Sequence, residues 1–441
     1  MRRAMQALRQ AIGVGVVLVA LLACAQATQE PGVSQSSSVD ANRIRWCTTL
    51  RERVDALPGE GPVLLRSYDS TSARSLDPSL ATAAFSYDNA LAVMALIACA
   101  MPAQANRIAE GLRRAASARV DGKPQRLRNA YRGGAVEDTP LPNGWWDAGE
   151  KRWVEDAYQM GTATGNVAWV ALALMAMHEI DDTGIWRTGA ERLADWAEHN
   201  ARDESAAGGY RGGVHGFDIA PQVLGWKSTE HNADLVALFA LLIDHGGHAR
   251  WNGPLNHARR FLDAQWDAGA GHFVIGTLPD GITPNRSTSG LDAQLWPQLL
   301  RDAPLDWRRA IAYVERAHGV DGGIDFNDDR DGLWVEGTAQ TALVYRIVGR
   351  ERDAVRLLVT IAGQRSAGGF LHATRELRVT TGLAIGPASA TDDFYYFRQP
   401  HLGATAWAVL AASGWNPFVL HTIDKPYDIQ KPKANSNDAL R

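Results

Sequence analysis

The sequence predicts an all-α protein: an (α/α)6 barrel, a toroid of six inner and six outer helices joined by short Gly-rich turns and small β-hairpins. Three observations predict it. A helix with a polar start and an apolar body recurs six times. Amphipathic, charged helices alternate with it. The alternation runs over residues 41–421, and self-similarity of this kind marks an architecture built from one repeated unit.

In chain order, "ANRIRWCTTLRERVDAL" from Ala41 opens the outer series, and "FSYDNALAVMALIACA" from Phe85 is the first inner helix. "PAQANRIAEGLRRAA" from Pro102 is outer and "TGNVAWVALALMAMHE" from Thr164 inner. The same order continues with "RTGAERLADWAEHNA" from Arg187, then "STEHNADLVALFALL" from Ser228. "NHARRFLDAQWD" from Asn256 precedes "GLDAQLWPQLL" from Gly290, where Pro297 must kink the helix or lie in its first turn. "WRRAIAYVERAHG" from Trp307 pairs with "VEGTAQTALVYRIVG" from Val335, and "RERDAVRLLVTIAGQ" from Arg350 with "HLGATAWAVLAASG" from His401. The inner bodies are apolar nearly all round, as helices buried on every side are. The others keep one polar face, as an outer layer should. "GGYRGG" at Gly208, "GHF" at Gly271, "DGGIDF" at Asp321 and "GGF" at Gly368 supply the turns. An open solenoid fits the same period, but would leave terminal apolar faces bare, and the terminal helices here are not unusually polar.

The first residues read as an export signal. Arg2, Arg3 and Arg9 precede an apolar run over residues 11–23, too short to span a bilayer. Leu21-Leu22-Ala23-Cys24 resembles a bacterial lipoprotein box. That resemblance implies cleavage before Cys24, a lipid on its sulfur, and anchoring of the chain in the cell envelope on the periplasmic face. Cleavage after Ala27 would instead release a secreted protein. The lipoprotein reading is preferred because the apolar run stops at Cys24. Residues 1–24 are thus the signal, 25–40 a Ser-rich flexible tether, 41–421 the barrel, and 422–441 a Pro- and Lys-rich tail expected to fray. Cys47 and Cys99 remain. They are either paired, tying the first outer helix to the first inner one, or two buried thiols. The formal charge of −4 leaves no basic footprint, which argues against nucleic acid as a partner.

In these repeats and their polar mouths, the chain resembles the six-hairpin glycosidase-like superfamily over roughly residues 41–420. In such a ring the inner N-termini meet at one end, so the residues that head them belong to one cleft. The candidates are Tyr87, Asp88, Asn89, Asn166, Trp169, Glu230, His231, Asn232, Asp234, Asp292, Gln294, Trp296, Trp334, Glu336, Gln340 and His401. Amides, carboxyls and indoles suit an oligo- or polysaccharide, through bidentate hydrogen bonds and flat stacking faces.

Glycoside hydrolysis needs two carboxyl groups across the scissile bond. Glu230 and Glu336 head the third and fifth inner helices and are the expected pair, with Asp88 and Asp292 as substitutes. Each also has a simpler reading as a cap or dipole partner. Barrels similar to this one mostly invert. His231 and His401, heading the third and sixth inner helices, also resemble the two-base logic of sugar 2-epimerases on this barrel, and His231, Asn232 and Tyr87 could serve a polysaccharide lyase. A glycan-binding lipoprotein without catalysis is a further alternative. The acidic DxDD cluster and zinc ligands of terpene cyclases and prenyltransferases are not seen in the sequence. No cofactor is expected. Asn327, Asp329 and Asp331 stand at alternate positions like the start of a calcium loop, but the glutamate such a loop ends on is replaced by Thr338. "NGWWD" at Asn143 and "TDDFYYFRQPH" at Thr391 offer Trp145, Trp146, Tyr395 and Tyr396 as stacking residues at the rim.

Overall fold

Alternation along the chain becomes alternation between inside and outside. The computed structural model describes residues 31–69, 76–120, 122–246 and 249–423. The signal segment, Cys24 and the tail beyond residue 423 lie outside the described residues. Among the described residues, twelve helices make two concentric rings. In chain order they are α1 (Pro31–Asp55), α2 (Ser86–Ala98), α3 (Pro102–Ser117), α4 (Thr164–Ile180), α5 (Ile185–Asn200) and α6 (Thr229–Asp244). Then follow α7 (Asn252–Ala264), α8 (Leu291–Leu295), α9 (Arg309–Ala317), α10 (Val335–Ile347), α11 (Glu351–Ala362) and α12 (Leu402–Ser413). Even-numbered helices are inner and odd-numbered ones outer. Each inner helix packs on the next, α12 packs on α2, and α11 and α12 pack on α1. The ring is therefore closed.

Burial follows the residue pattern. In α4, Val167 through Met177 are buried on every side, because neighbours stand to left and right, the outer layer behind and the barrel axis in front. Outer α3 buries only Ala105, Arg107, Ile108, Ala109, Gly111, Leu112, Ala115 and Ala116, one stripe of its surface. Each fully buried Leu or Val contributes roughly 1.5–3 kcal/mol, so the inner ring is the main source of stability.

One expectation needs adjusting and one holds. The tether was expected over residues 25–40, yet α1 already begins at Pro31. Proline is pre-set for a first helical position, and Val39 is buried in the core, which holds the early turns of α1 against the ring. Around Pro297 the helix does change: α8 stops at Leu295 and continues as a 3-10 turn over Trp296–Leu299. Cys47 and Cys99 are joined in a disulfide that fastens α1 to the end of α2.

Small hairpins follow the outer helices, such as Trp266–Asp267 with His272–Phe273 after α7, and Gly319–Val320 with Gly323–Ile324 after α9. A repeated side-chain clamp fastens these extended segments to the inner ring. The fourth residue of five inner helices is Asn89, Asn232, Gln294, Thr338 or Thr405. Asn89 accepts from Leu65 N–H at 2.8 Å and donates to its carbonyl at 3.0 Å. Asn232 does the same with Tyr210, Gln294 with Phe273 and Thr338 with Ile324, while Thr405 accepts from Leu371 N–H. Each clamp satisfies buried backbone groups that no ladder reaches.

Candidate active site

The inner helices carry their chemistry in two layers. The second residues are Tyr87, Gly165, Glu230, Asp292, Glu336 and Gly403. One turn deeper, at the sixth residues, stand Leu91, Trp169, Asp234, Trp296, Gln340 and Trp407. Residues four apart share a helix face, so both layers look toward the barrel axis. The contacts agree. Trp169 meets Trp296 at 5.1 Å and Trp407 at 5.6 Å between ring centroids, both edge-on, and Tyr87 stands on Trp169 at 5.3 Å. The indoles pave the floor of a basin rimmed by acids.

Five carboxyl groups gather there. The Tyr87 hydroxyl donates to Glu336 Oε1 at 2.7 Å and itself accepts from the Trp407 indole N–H at 2.9 Å. His401 bridges two acids, with Nε2 3.2 Å from Asp88 Oδ2 and Nδ1 3.8 Å from Glu336 Oε2. Gly403 leaves the room for this cluster: a Cβ there would stand 2.7 Å from Asp88 Oδ1 and 2.9 Å from His401. Tyr68 stacks on the His401 ring at 4.9 Å.

Burial sets the proton affinities. It pushes the Glu230 carboxyl up to about 7, although the Ser228 hydroxyl restrains it. Glu336, only 2 % exposed, is likewise pushed up to about 7 by burial, with the charge of nearby His401 opposing the rise. Asp292 is held well above the usual carboxyl range by burial and then by Glu230 and Glu336. Asp234 is raised too, by burial and then by Glu230 and Asp292. His401 is pulled down by burial, but Asp88 and Glu336 outweigh that and leave it above the ordinary imidazole value. His231 has no such compensation, and burial holds it down to about 4. Its Nε2 lies 3.4 Å from Glu230 Oε1, a contact made by a neutral ring. The phenols of Tyr158 and Tyr396 are raised by burial and then by these acids, so both border the basin.

Glu230 also opens outward. It lies at the base of a cavity of about 300 Å³ whose walls include Trp226, Ser228, Leu278, Asn285, Leu383 and Asp392. That volume reaches the lower end of the range of small-molecule sites.

The structure sorts the sequence candidates. Tyr87, Asp88, Glu230, Asp234, Asp292, Glu336, Gln340 and His401 meet around the axis, with Trp169 and Trp296 as the floor. His231 lies against Gly165 and Trp226 beside Glu230. Asn166 is half-buried and donates to Asn129 at 2.9 Å. Trp334 is fully buried against Phe326 and Tyr396 and forms wall, not an open stacking face. Asn89, Asn232 and Gln294 are corrected outright. They are the clamps described above, their amide atoms bonded to backbone, and they face away from the basin because the fourth residue of a helix lies roughly 200° around from the second. In the acidic loop, Asp325 takes the place expected of Asn327. The oxygens of Asp325, Asp329 and Asp331 lie within 4.8 Å of one another, whereas Asn327 turns its amide to Asp329 at 3.2 Å. The reason is local: the chain folds back so that Gly332 N–H bonds Asp325 Oδ2, drawing that side chain into the loop.

Tyr68, Tyr158, Trp226 and Trp407 were missed. Trp407 was legible as the sixth residue of its helix, matching Trp169 and Trp296. Tyr68, Tyr158 and Trp226 come from connecting segments and carry no periodic signal.

No family model matches the chain, and no curated protein matches it either. Among solved structures it is similar to cellobiose 2-epimerase from Bacillus thermoamylovorans B4167, with 11% identity over 85% of this chain and 99% of that one and a TM-score of 0.59. A glycosidase with a glutamate-to-alanine substitution gives 14% identity over 87% of this chain and 99% of the other, TM-score 0.56. Another glycosidase variant, in complex with glucose, gives 15% over 86% and 98%, TM-score 0.52. Those likenesses show the fold. The chain is an (α/α)6 barrel.

Proposed function

We propose that this chain is an exported glycan-active enzyme, a glycoside hydrolase that acts with inversion. The observation that carries the reading is a pair of buried glutamates, Glu230 and Glu336, on the third and fifth inner helices, both pushed up to about 7 above an indole floor. Among the described residues no cation acts on Glu230 to draw off its proton, and it serves as general acid: its O–H protonates the glycosidic oxygen as the bond to the anomeric carbon breaks. Glu336 sits between the Tyr87 hydroxyl and His401, which stabilise its ionised form, and serves as general base. It takes a proton from the water that attacks the anomeric carbon from the opposite face. The products are a free reducing end of inverted configuration and a released alcohol. Glu230 is left ionised and Glu336 protonated, and exchange with solvent resets both. Asp292, kept neutral, donates a hydrogen bond to a sugar hydroxyl, and Asp88 holds His401.

A sugar epimerase is the second reading, favoured by His401 in the basin and by the barrel shared with cellobiose 2-epimerases. Against it, both ring nitrogens of His401 face carboxyl groups, Nε2 at 3.2 Å from Asp88 Oδ2 and Nδ1 at 3.8 Å from Glu336 Oε2. A lyase acting on uronates suits the basin less, since the residues that meet around the axis include five carboxyl groups and no lysine or arginine to pair with a uronate. Export and lipid attachment at Cys24 are part of the proposal, supported by the Arg-led apolar start and by the Cys47–Cys99 disulfide, a bond that persists in oxidising compartments.

Residues 28–441 should release reducing sugar from at least one member of a panel of bacterial and plant polysaccharides. Early NMR of the product anomer should show inversion. A change of configuration at C2 without bond cleavage would favour the epimerase, and binding without turnover the lipoprotein without catalysis. Neither turnover nor binding across the panel would sink the proposal.

A further inference from the structure

Residues 145–154 form a free-standing hairpin, Trp145–Asp147 against Arg152–Val154, with Trp146 directly opposite Trp153. Directly opposed residues share a face, with Cβ atoms about 5 Å apart, so the two indoles lie side by side. They are 61 % and 44 % exposed. On the other face Trp145 and Val154 are half-buried. The arrangement is held in place. Asp147 Oδ1 accepts from Gly149 and Glu150 N–H and tightens the tip. The Arg132 guanidinium stacks on Trp153 at 4.9 Å. Gly144 runs against the same indole so closely that a Cβ there would come within 2.5 Å of its Nε1.

The hairpin leads directly into the basin. Val154 is followed by Glu155 and by Asp156, which caps the single turn Ala157–Met160. Tyr158 in that turn stands between Phe85 and Phe394, close enough to Asp88 and Glu230 to feel their charge. Tyr158 follows Trp153 by five positions, a path of at most about 18 Å. A few linked sugars cover that distance.

We propose that Trp146 and Trp153 form an outer sugar-binding platform on which the distal residues of an extended, uncharged glycan stack while its end is processed in the basin. This inference rests on the hydrolase reading and names its substrate class: a polymer or long oligosaccharide, not a disaccharide. The surrounding charges disfavour an anionic occupant, since Asp147, Glu150, Glu155 and Asp156 outnumber Arg132, Lys151 and Arg152. An acidic lipid surface is repelled for the same reason.

Two measurements on residues 28–441 test it. In native gels containing soluble starch, mixed-linkage β-glucan, xylan or galactomannan, the protein should be retarded by the polymer it cleaves. Trp146→Ala should weaken that retention about ten-fold or more, as loss of an aromatic anchor does, and Trp146→Phe should restore most of it. The ratio of kcat/KM on that polymer to kcat/KM on its own disaccharide should fall by a similar factor in Trp146→Ala. An unchanged ratio and unchanged retention in a protein that cleaves the polymer overturns the platform alone. Neither cleavage nor retention in the unsubstituted protein overturns the hydrolase reading and the platform with it. Co-sedimentation with phosphatidylcholine–phosphatidylglycerol vesicles that is lost in Trp146→Ala overturns the platform in favour of a lipid surface.

Discussion

Replacing Glu230 by Gln should end turnover and yet stabilise the fold above neutral pH. Burial takes the Glu230 carboxyl from 4.5 to about 7. Carried through at 1.36 kcal/mol per pH unit, that is roughly 3 kcal/mol. The side chain keeps 26 % of its surface open to solvent, so about 2 kcal/mol is the better figure after screening. The folded state binds this proton more tightly than the unfolded chain does. Its stabilising effect is therefore complete below pH 4.5 and lost as the pH rises through about 7. Glutamine carries no such proton. The variant should match the parent near pH 4.5 and exceed it by about 2 kcal/mol at pH 8. For a ring of this size, with unfolding entropy of about 2.1 cal/mol/K per residue, the gain appears as about 2–3 °C in Tm. Asp234, Asp292 and Glu336 remain in both proteins; Asp234 and Asp292 lose the charge of Glu230 in the variant, which acts in the same direction at pH 8. Differential scanning calorimetry at pH 5 and pH 8 measures it. A gap that does not widen with pH, or a variant less stable at pH 8, would refute the assignment of Glu230 as a desolvated acid.

Activity should follow a bell-shaped pH profile centred near 7, falling at high pH as Glu230 loses its proton and at low pH as Glu336 gains one; the two limbs belong to the coupled pair. Rates on any substrate found in the polysaccharide screen will show it, and a profile flat from pH 5 to 9 would contradict both roles. Glu336→Gln should lower kcat by about 10²–10⁴-fold, the usual contribution of a general base. Tyr87→Phe should cost roughly 10- to 100-fold, since it removes one hydrogen bond to the ionised Glu336; equal KM with lower kcat is the signature. Asn232→Leu should lower stability by about 2–5 kcal/mol, because Tyr210 N–H and C=O stay buried without partners; urea titration reads the loss, and a neutral result would refute the clamp. Reducing Cys47–Cys99, which closes 52 residues, should cost about 4 kcal/mol, checked by melting with and without dithiothreitol.

The helices of the ring, their order and their inside-outside assignment were determined by the sequence alone. Polarity repeats at 3.6 residues per turn, and a helix apolar all round has nowhere to go but the interior. The second-residue acids Glu230, Asp292 and Glu336 followed from the same register, as did the sixth-residue Trp169, Asp234, Trp296 and Gln340. Tertiary structure alone decided which polar side chains face the axis and which face backward. Asn89 and Glu230 both stand near the mouth of an inner helix, but they are two residues out of phase. One faces an outer segment with bare backbone groups to satisfy, and the other faces an axis where five more helix mouths converge. Tyr68, Tyr158 and Trp226 reach the basin only because ring closure folds connecting loops over it. Proton affinity was likewise beyond the sequence. A glutamate at a helix start reads as a dipole partner with an ordinary pKa until closure of the ring removes its water.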